Sequence, residues 1–361
     1  MSGRKDLKKQ NMQFILQKSK FKLRRLLRKV EKNVVMNEPS KDIHYWLEKS
    51  YYDCIPYFPP VKLDICLTTA CNTKCAYCWQ QEKKGSLLTF DAVSKVIDAM
   101  RAIKPPQKLS LTGGEPTIWP DFERLVNYAS NSGIKNILLC TNGRRLVDLN
   151  FANKIVALGV TDINISVDTL NPEKFKMLRG YDFSEFEKIV HNCILLKKKY
   201  RGLSVALCSV MSKLVTPEDL LAVRNLSNKY KFGYFMQTFD KTDYVEVNNT
   251  FMLTKEERDT YNKKLDWLDG KLHDTVSRDI NPLIEDGKIK CYKGITTVKL
   301  SSDGSIAFCW NSQTIGNILH DPFIDIWTSA RARETRKYIR DKKCSCDFDC
   351  DIFESLELLD L

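Results

Sequence analysis

Between residues 61 and 240 the chain alternates short apolar or β-branched runs with segments of helical period, and this alternation restricts its fold more than any other feature. Six runs read as strands: 61–67, 108–112, 137–141, 162–167, 203–210 and 233–238. Helical patterns lie between them at 89–103, 122–130, 150–158, 183–199 and 217–229, the first with Val93, Val96, Ile97 and Met100 as its apolar stripe. Repeated strand–helix units require parallel strands joined by right-handed crossovers. In barrels built this way the chemistry gathers at the C-terminal ends of the strands. The turns that follow each run are therefore where function is to be read.

After the first run stands Cys71-Asn-Thr-Lys-Cys75-Ala-Tyr77-Cys78, a C-x3-C-x2-C loop. Three thiolates leave one iron of a four-iron cube open to a small molecule. Structural zinc usually wants four closed ligands and C-x2-C knuckles, which this spacing does not supply by itself. The second run ends in Thr112-Gly113-Gly114-Glu115-Pro116. Its glycines let backbone approach a ligand closely, and Glu115 can accept from an ammonium group. Cys140-Thr141-Asn142-Gly143 closes the third run and by itself also reads as an ordinary Asn-Gly turn. The fourth ends in Ile165-Ser166-Val167-Asp168, followed by Leu170-Asn171-Pro172 and by Arg179-Gly180, and here Ser or Asp could simply cap a helix. On the fifth, Cys208 lies near the strand end, either as a small core residue or as a hydrogen-atom donor. Alternation alone does not fix which face it takes.

Taken together these turns resemble the signature of the radical S-adenosylmethionine (radical SAM) superfamily. The shared features are a C-x3-C-x-aromatic-C loop with Tyr77 as the aromatic, GGEP at Gly113, Gly114, Glu115 and Pro116, a TNG-like turn at Asn142, and S-x-D at Ser166 and Asp168. The resemblance implies an α/β fold, a partial (β/α)6 barrel open where a closed barrel would have two more units. It implies a [4Fe–4S] cluster on Cys71, Cys75 and Cys78, whose open iron takes the amino and carboxylate groups of SAM. The GGEP residues would then bind the methionyl amino group, Ser166 and Asp168 would line the ribose and carboxylate, and Tyr77 and Asn142 would complete the pocket. The implied activity is reductive cleavage of SAM to a 5′-deoxyadenosyl radical that abstracts hydrogen from substrate, with a one-electron donor such as flavodoxin or ferredoxin as partner.

A capping box, Thr254-Lys-Glu-Glu257, opens a helix through Trp267 and marks entry to a different region. There the pattern is Cys291-x12-Gly304-x4-Cys309, then Cys344, Cys346 and Cys350, with runs at 296–300 and 305–309 around a Ser-Ser-Asp-Gly hairpin turn. This resembles the SPASM and twitch auxiliary domains of radical SAM enzymes. It departs from a full SPASM domain, whose C-x2-C-x5-C-x3-C run is represented here by three cysteines. One auxiliary [4Fe–4S] cluster is therefore expected, on Cys291, Cys309, Cys350 and one of Cys344 or Cys346, with zinc as the competing occupant. The expected division is 1–60 as a basic helix and lead-in, 61–240 as the barrel and 241–361 as a small cysteine-rich auxiliary domain.

Thirteen cysteines, an odd number clustered at short spacings, suit metal ligation in a reducing cytosol better than a disulfide framework. The formal charge of +12 is concentrated: residues 1–35 hold twelve of the 57 Lys and Arg but two of the 45 Asp and Glu. A broad nucleic-acid face on the body is thereby excluded. The basic segment is amphipathic over 14–34, a pattern that packs on its own core, lies peripherally on an anionic membrane, or meets an acidic partner. Neither a signal-peptide core nor an apolar run of membrane-spanning length is present in the sequence, so a cytoplasmic location is expected. Within this architecture the leading expectation is oxidative modification of a peptide or protein. The alternatives are a dehydrogenase or epimerase of a sugar or aminocyclitol, and a metal-stabilised protein that only binds.

Overall fold

The computed structural model describes residues 43–78, 86–102, 106–238, 251–268, 290–309 and 312–341. The basic N-terminal helix and the cysteines at 344, 346 and 350 lie outside them.

The six expected strands are present as β1 (Lys62–Cys66), β2 (Lys108–Thr112), β3 (Asn136–Thr141), β4 (Asp162–Ser166), β5 (Ser204–Met211) and β6 (Gly233–Thr238), adjacent in that order and parallel throughout. Their sheet does not close. After α1 (Ile43–Asp53), the crossovers are α2 (Phe90–Arg101), α3 (Phe122–Asn131), α4 (Leu149–Leu158), α5 (Pro172–Arg179) with α6 (Phe183–Lys199), and α7 (Pro217–Tyr230). Residues Leu63 and Ile65, Leu109 and Leu111, Ile137 and Leu139, Ile163 and Ile165, and Leu207 are sealed from solvent in one core with the apolar stripes of these helices. Side chains alternate along a strand, so the intervening residues share the opposite face. Lateral pairing places Cys66 beside Thr112, Cys140 beside Asn164, and Ser166 beside Cys208 on it. A polar, thiol-rich face against an apolar helix-covered one is what positions the site.

Two helices up to this point escaped the sequence reading. α5 is eight residues long, with Asn171 as N-cap, Pro172 at its first position and Gly180 in the left-handed conformation at its end. Its start and stop signals were legible, but it is too short to show a period. α1 lies in the segment read as a lead-in. It buries Leu47, Ser50 and Tyr51, with Cys54 just past its end, and Ser50 and Cys54 are too small or polar to mark a stripe. It packs on the far end of the chain: Tyr51 meets the Tyr292 ring edge-on at 5.4 Å, Tyr292 donates to Glu48, and Arg340 donates to the Tyr52 carbonyl at 2.8 Å.

The capping box forms in both directions between Thr254 and Glu257 at the start of α8 (Lys255–Leu268). Beyond it, the expected hairpin exists as β7 (Thr297–Leu300) and β8 (Ser305–Ala307), followed by β9 (Gly316–Asn317), α9 (Phe323–Thr328) and α10 (Ala330–Arg340). Its placement is the main addition to the reading: β7 pairs in parallel with β1, from Lys62 opposite Thr297 to Ile65 opposite Leu300, so among the described residues one nine-stranded sheet runs from β6 to β9. No helix among the described residues is long and apolar enough to cross a membrane.

Candidate active site

The loop after β1 is held by backbone from the loop after β2. Gly114 N–H donates to the Thr68 carbonyl at 2.7 Å and Glu115 N–H to that of Ala70 at 2.9 Å. A Cβ on Gly113 would stand 2.4 Å from the Thr68 oxygen, and one on Gly114 2.2 Å from the Ala70 oxygen. Both glycines are needed so that the cysteine loop itself can come close.

Glu115 has no solvent exposure. Its Oε1 accepts from Thr117 N–H, the Thr117 hydroxyl and the Thr141 hydroxyl, and its Oε2 accepts from Asn142 N–H at 2.8 Å. Burial holds the carboxyl above its ordinary range, against the pull of these donors. The carboxyl therefore braces the turn after β3. That turn reaches back in its own right: Asn142 Nδ2 donates to Asn72 Oδ1 at 2.8 Å and lies 3.6 Å from Cys71 Sγ, while Arg144 donates to the Asn72 carbonyl at 2.9 Å. Arg144 is fixed by Glu185 at 3.0 Å.

On the other side, α5 carries the loop. Ala76 N–H donates to the Leu178 carbonyl at 3.0 Å, and a Cβ on Gly180 would meet the Lys74 oxygen at 2.9 Å. Beneath lies a buried trio. Tyr77 donates its hydroxyl to Asp168 Oδ2, and the Arg179 guanidinium pairs with the same oxygen at 2.7 Å. Val210 N–H donates to Asp168 Oδ1 at 2.8 Å. Asp168 is wholly buried, Arg179 is 5% exposed and Tyr77 8%. Burial raises the Tyr77 hydroxyl well above its ordinary value, so the phenol keeps its proton. For Arg179 burial works downward, yet its ionisable neighbours, Asp168 foremost, work upward and hold the cation above its usual value. The loop, β4, α5 and β5 are thus joined through one carboxylate.

Around the polar face, Ser166 and Cys208 are half-buried neighbours on adjacent strands, which settles the facing of Cys208. Cys71 is exposed, with Cys75 and Cys78 half-buried, and the sulfurs of Cys71 and Cys75 stand 3.2 and 3.8 Å from Thr73 Oγ1. No three His, Cys, Asp or Glu side chains among the described residues converge on a single-ion site. A four-iron cube is the larger body, and thiols distributed along a loop suit it. Cys291 and Cys309, both half-buried, flank the β7–β8 hairpin. Arg179 was not separable from a surface charge by sequence alone, and Asn142, though singled out there, was not read as touching the cysteine loop, because their partners come from other βα units.

An open (β/α)6 barrel presenting three thiols on its first loop, cradled by a Gly-Gly-Glu turn, defines a radical SAM enzyme. Comparison with known proteins agrees: residues 65–226 match the Radical SAM superfamily model and residues 291–351 the SPASM iron-sulfur cluster-binding domain, so the chain belongs to the radical SAM superfamily and carries a SPASM domain. Such an enzyme uses a [4Fe–4S] cluster with SAM and an auxiliary cluster, and the three thiols of the first loop are a donor set that suits the former. A relative in Methanococcus vannielii, a probable GTP 3′,8-cyclase, is 30% identical over 45% of this chain. The chain spans about half of that protein, 53% of its length. GTP 3′,8-cyclase of Clostridium botulinum is 23% identical over 71% of this chain and 83% of its own. Among solved structures, Streptococcus suis SuiB bound to S-adenosylmethionine superposes with a TM-score of 0.61 at 16% identity, over 90% of this chain and 78% of that one. The anSMEcpe enzyme with bound AdoMet does so at 0.57 and 18%, over 83% and 92%. These two share the fold.

Proposed function

We propose that this enzyme oxidatively modifies a peptide or protein, with Cys71, Cys75 and Cys78 holding the SAM-binding cluster. Gly113, Gly114, Glu115, Pro116, Asn142 and Ser166 form the SAM pocket, and Asp168 fixes its floor through Tyr77. When bound, the reduced cluster and SAM supply a 5′-deoxyadenosyl radical that takes a hydrogen atom from an unreactive C–H bond. Asn142 directs an amide N–H at Cys71 Sγ and so helps to orient that thiol. The helix-covered core excludes water from one side of the sheet, and Ser166 and Cys208 present polar groups on the other.

The observation that carries the oxidative reading is the pairing of β7 with β1. It ties the hairpin flanked by Cys291 and Cys309 to the strand that ends in the cysteine loop. Ser86 and Ser302 meet at 2.7 Å between the same two parts. An electron left on a substrate radical at the barrel mouth would then have an acceptor in the same rigid sheet. The peptide class is supported by the architecture shared with SuiB, which has been seen bound to its precursor peptide SuiA. A second reading, rearrangement of a nucleotide, is favoured by the relatives named GTP 3′,8-cyclase.

Incubation of the reduced, anaerobically reconstituted enzyme with SAM and either a peptide library or GTP separates the two. The expected result is 5′-deoxyadenosine above the uncoupled rate with a peptide, and a product lighter by two hydrogens. Stimulation by GTP alone would transfer the assignment to the second reading.

A further inference from the structure

The last strand of the sheet is an unguarded edge beside the active site. β6 pairs with β5 on one side and, among the described residues, with no strand on the other. Native edges are usually blunted by shortness, charge or proline, because a free row of main-chain N–H and C=O groups invites another strand. At the far end of the sheet β9 is two residues long. β6 has six, Gly-Tyr-Phe-Met-Gln-Thr, without a charge or a proline.

Its two faces differ. Met236 is buried and Tyr234 half-buried in the apolar core, whereas Gly233, Phe235 and Gln237 are exposed on the opposite face. Phe235 stands opposite Cys208, and Cys208 opposite Ser166, so the exposed face is the one that carries the SAM pocket. Phe235 is 53% exposed, and its ring leans along the strand, 3.7 Å from where a Cβ on Gly233 would stand. Neighbouring strands lie about 4.8 Å apart, so a chain added outside β6 would run roughly 14 Å from β4. At that distance it anchors a substrate whose flanking residues turn in over the face, while its own residues stay out of the radical's reach.

We propose that β6 is the docking edge for the peptide substrate, which adds to the sheet as an extended strand, exchanges main-chain hydrogen bonds with β6 and sets alternate side chains beside Phe235 and Gln237. This inference rests on the peptide reading above and deepens it. Main-chain donors and acceptors at strand spacing are matched by an extended polypeptide, and a nucleotide carries no such row.

The test is hydrogen–deuterium exchange of the full-length, reconstituted enzyme with and without the library peptide that most raises 5′-deoxyadenosine formation. In the free enzyme the β6 amides directed away from β5 should exchange fast, and saturation with that peptide should slow them roughly tenfold or more. The same peptide methylated on one backbone nitrogen at a time should lose about tenfold in affinity at every second residue of the docked stretch and little between, since alternate amides of a strand face its partner. Phe235→Ala should weaken binding several-fold and Phe235→Tyr hardly at all. Peptide binding that leaves the β6 amides unprotected, or losses without the two-residue period, would overturn the inference and leave the peptide reading standing. So would slow exchange of the outward amides before peptide is added, whether another segment of the chain or a second copy covers them. A library in which no peptide raises 5′-deoxyadenosine formation would instead refute the reading on which the inference rests.

Discussion

Asp168→Ala is expected to lower the stability of the barrel by roughly 3–5 kcal/mol, because it strands the Arg179 guanidinium in a buried site. Asp168 has no solvent exposure and answers Tyr77, Arg179 and the backbone of Val210 at once. Folded domains hold roughly 5–15 kcal/mol in all, so the loss is a large share. Asp168→Asn keeps an acceptor for only one of Tyr77 and Val210 and removes the charge, and should fall between the parent and Asp168→Ala. Denaturant titrations followed by circular dichroism measure the series. A loss below about 1 kcal/mol for Asp168→Ala, the range of an exposed pair, would show that the trio is not the brace described.

Joint replacement of Cys71, Cys75 and Cys78 by Ala should halve the metal content while leaving the fold in place. Two four-iron cubes give about eight irons and eight sulfides per chain, and one gives about four of each. The loop makes its contacts through backbone at Thr68, Ala70 and Ala76, and these do not depend on the thiols. Circular dichroism should therefore be unchanged. About eight irons in the variant would place the first cluster elsewhere, and about four in the parent, with zinc in the C-terminal region, would remove the auxiliary cluster.

Much of this arrangement was legible in the sequence because parallel strands covered by helices leave continuous apolar runs, and all six were found within two residues of their ends. The turns were legible because the chemistry they carry demands unusual residues. What escaped is what arises only when distant segments meet. Glu115 was read as an acceptor for a ligand, yet its donors Thr141 and Asn142 belong to the next βα unit. The two glycines were read as room for a ligand, whereas the nearest obstacle to a side chain is the cysteine loop's own backbone. The pairing of β7 with β1 joins segments more than two hundred residues apart, and no local pattern encodes it. Arg179 and Arg336 look like surface charges in sequence, since burial of an arginine is decided by partners elsewhere in the chain.

The central claim is that SAM is cleaved reductively at the mouth of this barrel, on the loop after β1. It is tested most directly by measuring 5′-deoxyadenosine and methionine from SAM after anaerobic reconstitution and reduction, in the parent and in the variant lacking the three loop cysteines. Equal amounts of the two products from the parent, and neither from the folded variant, is the predicted result. Continued cleavage by the variant, or none by a parent with its full iron content, would contradict it.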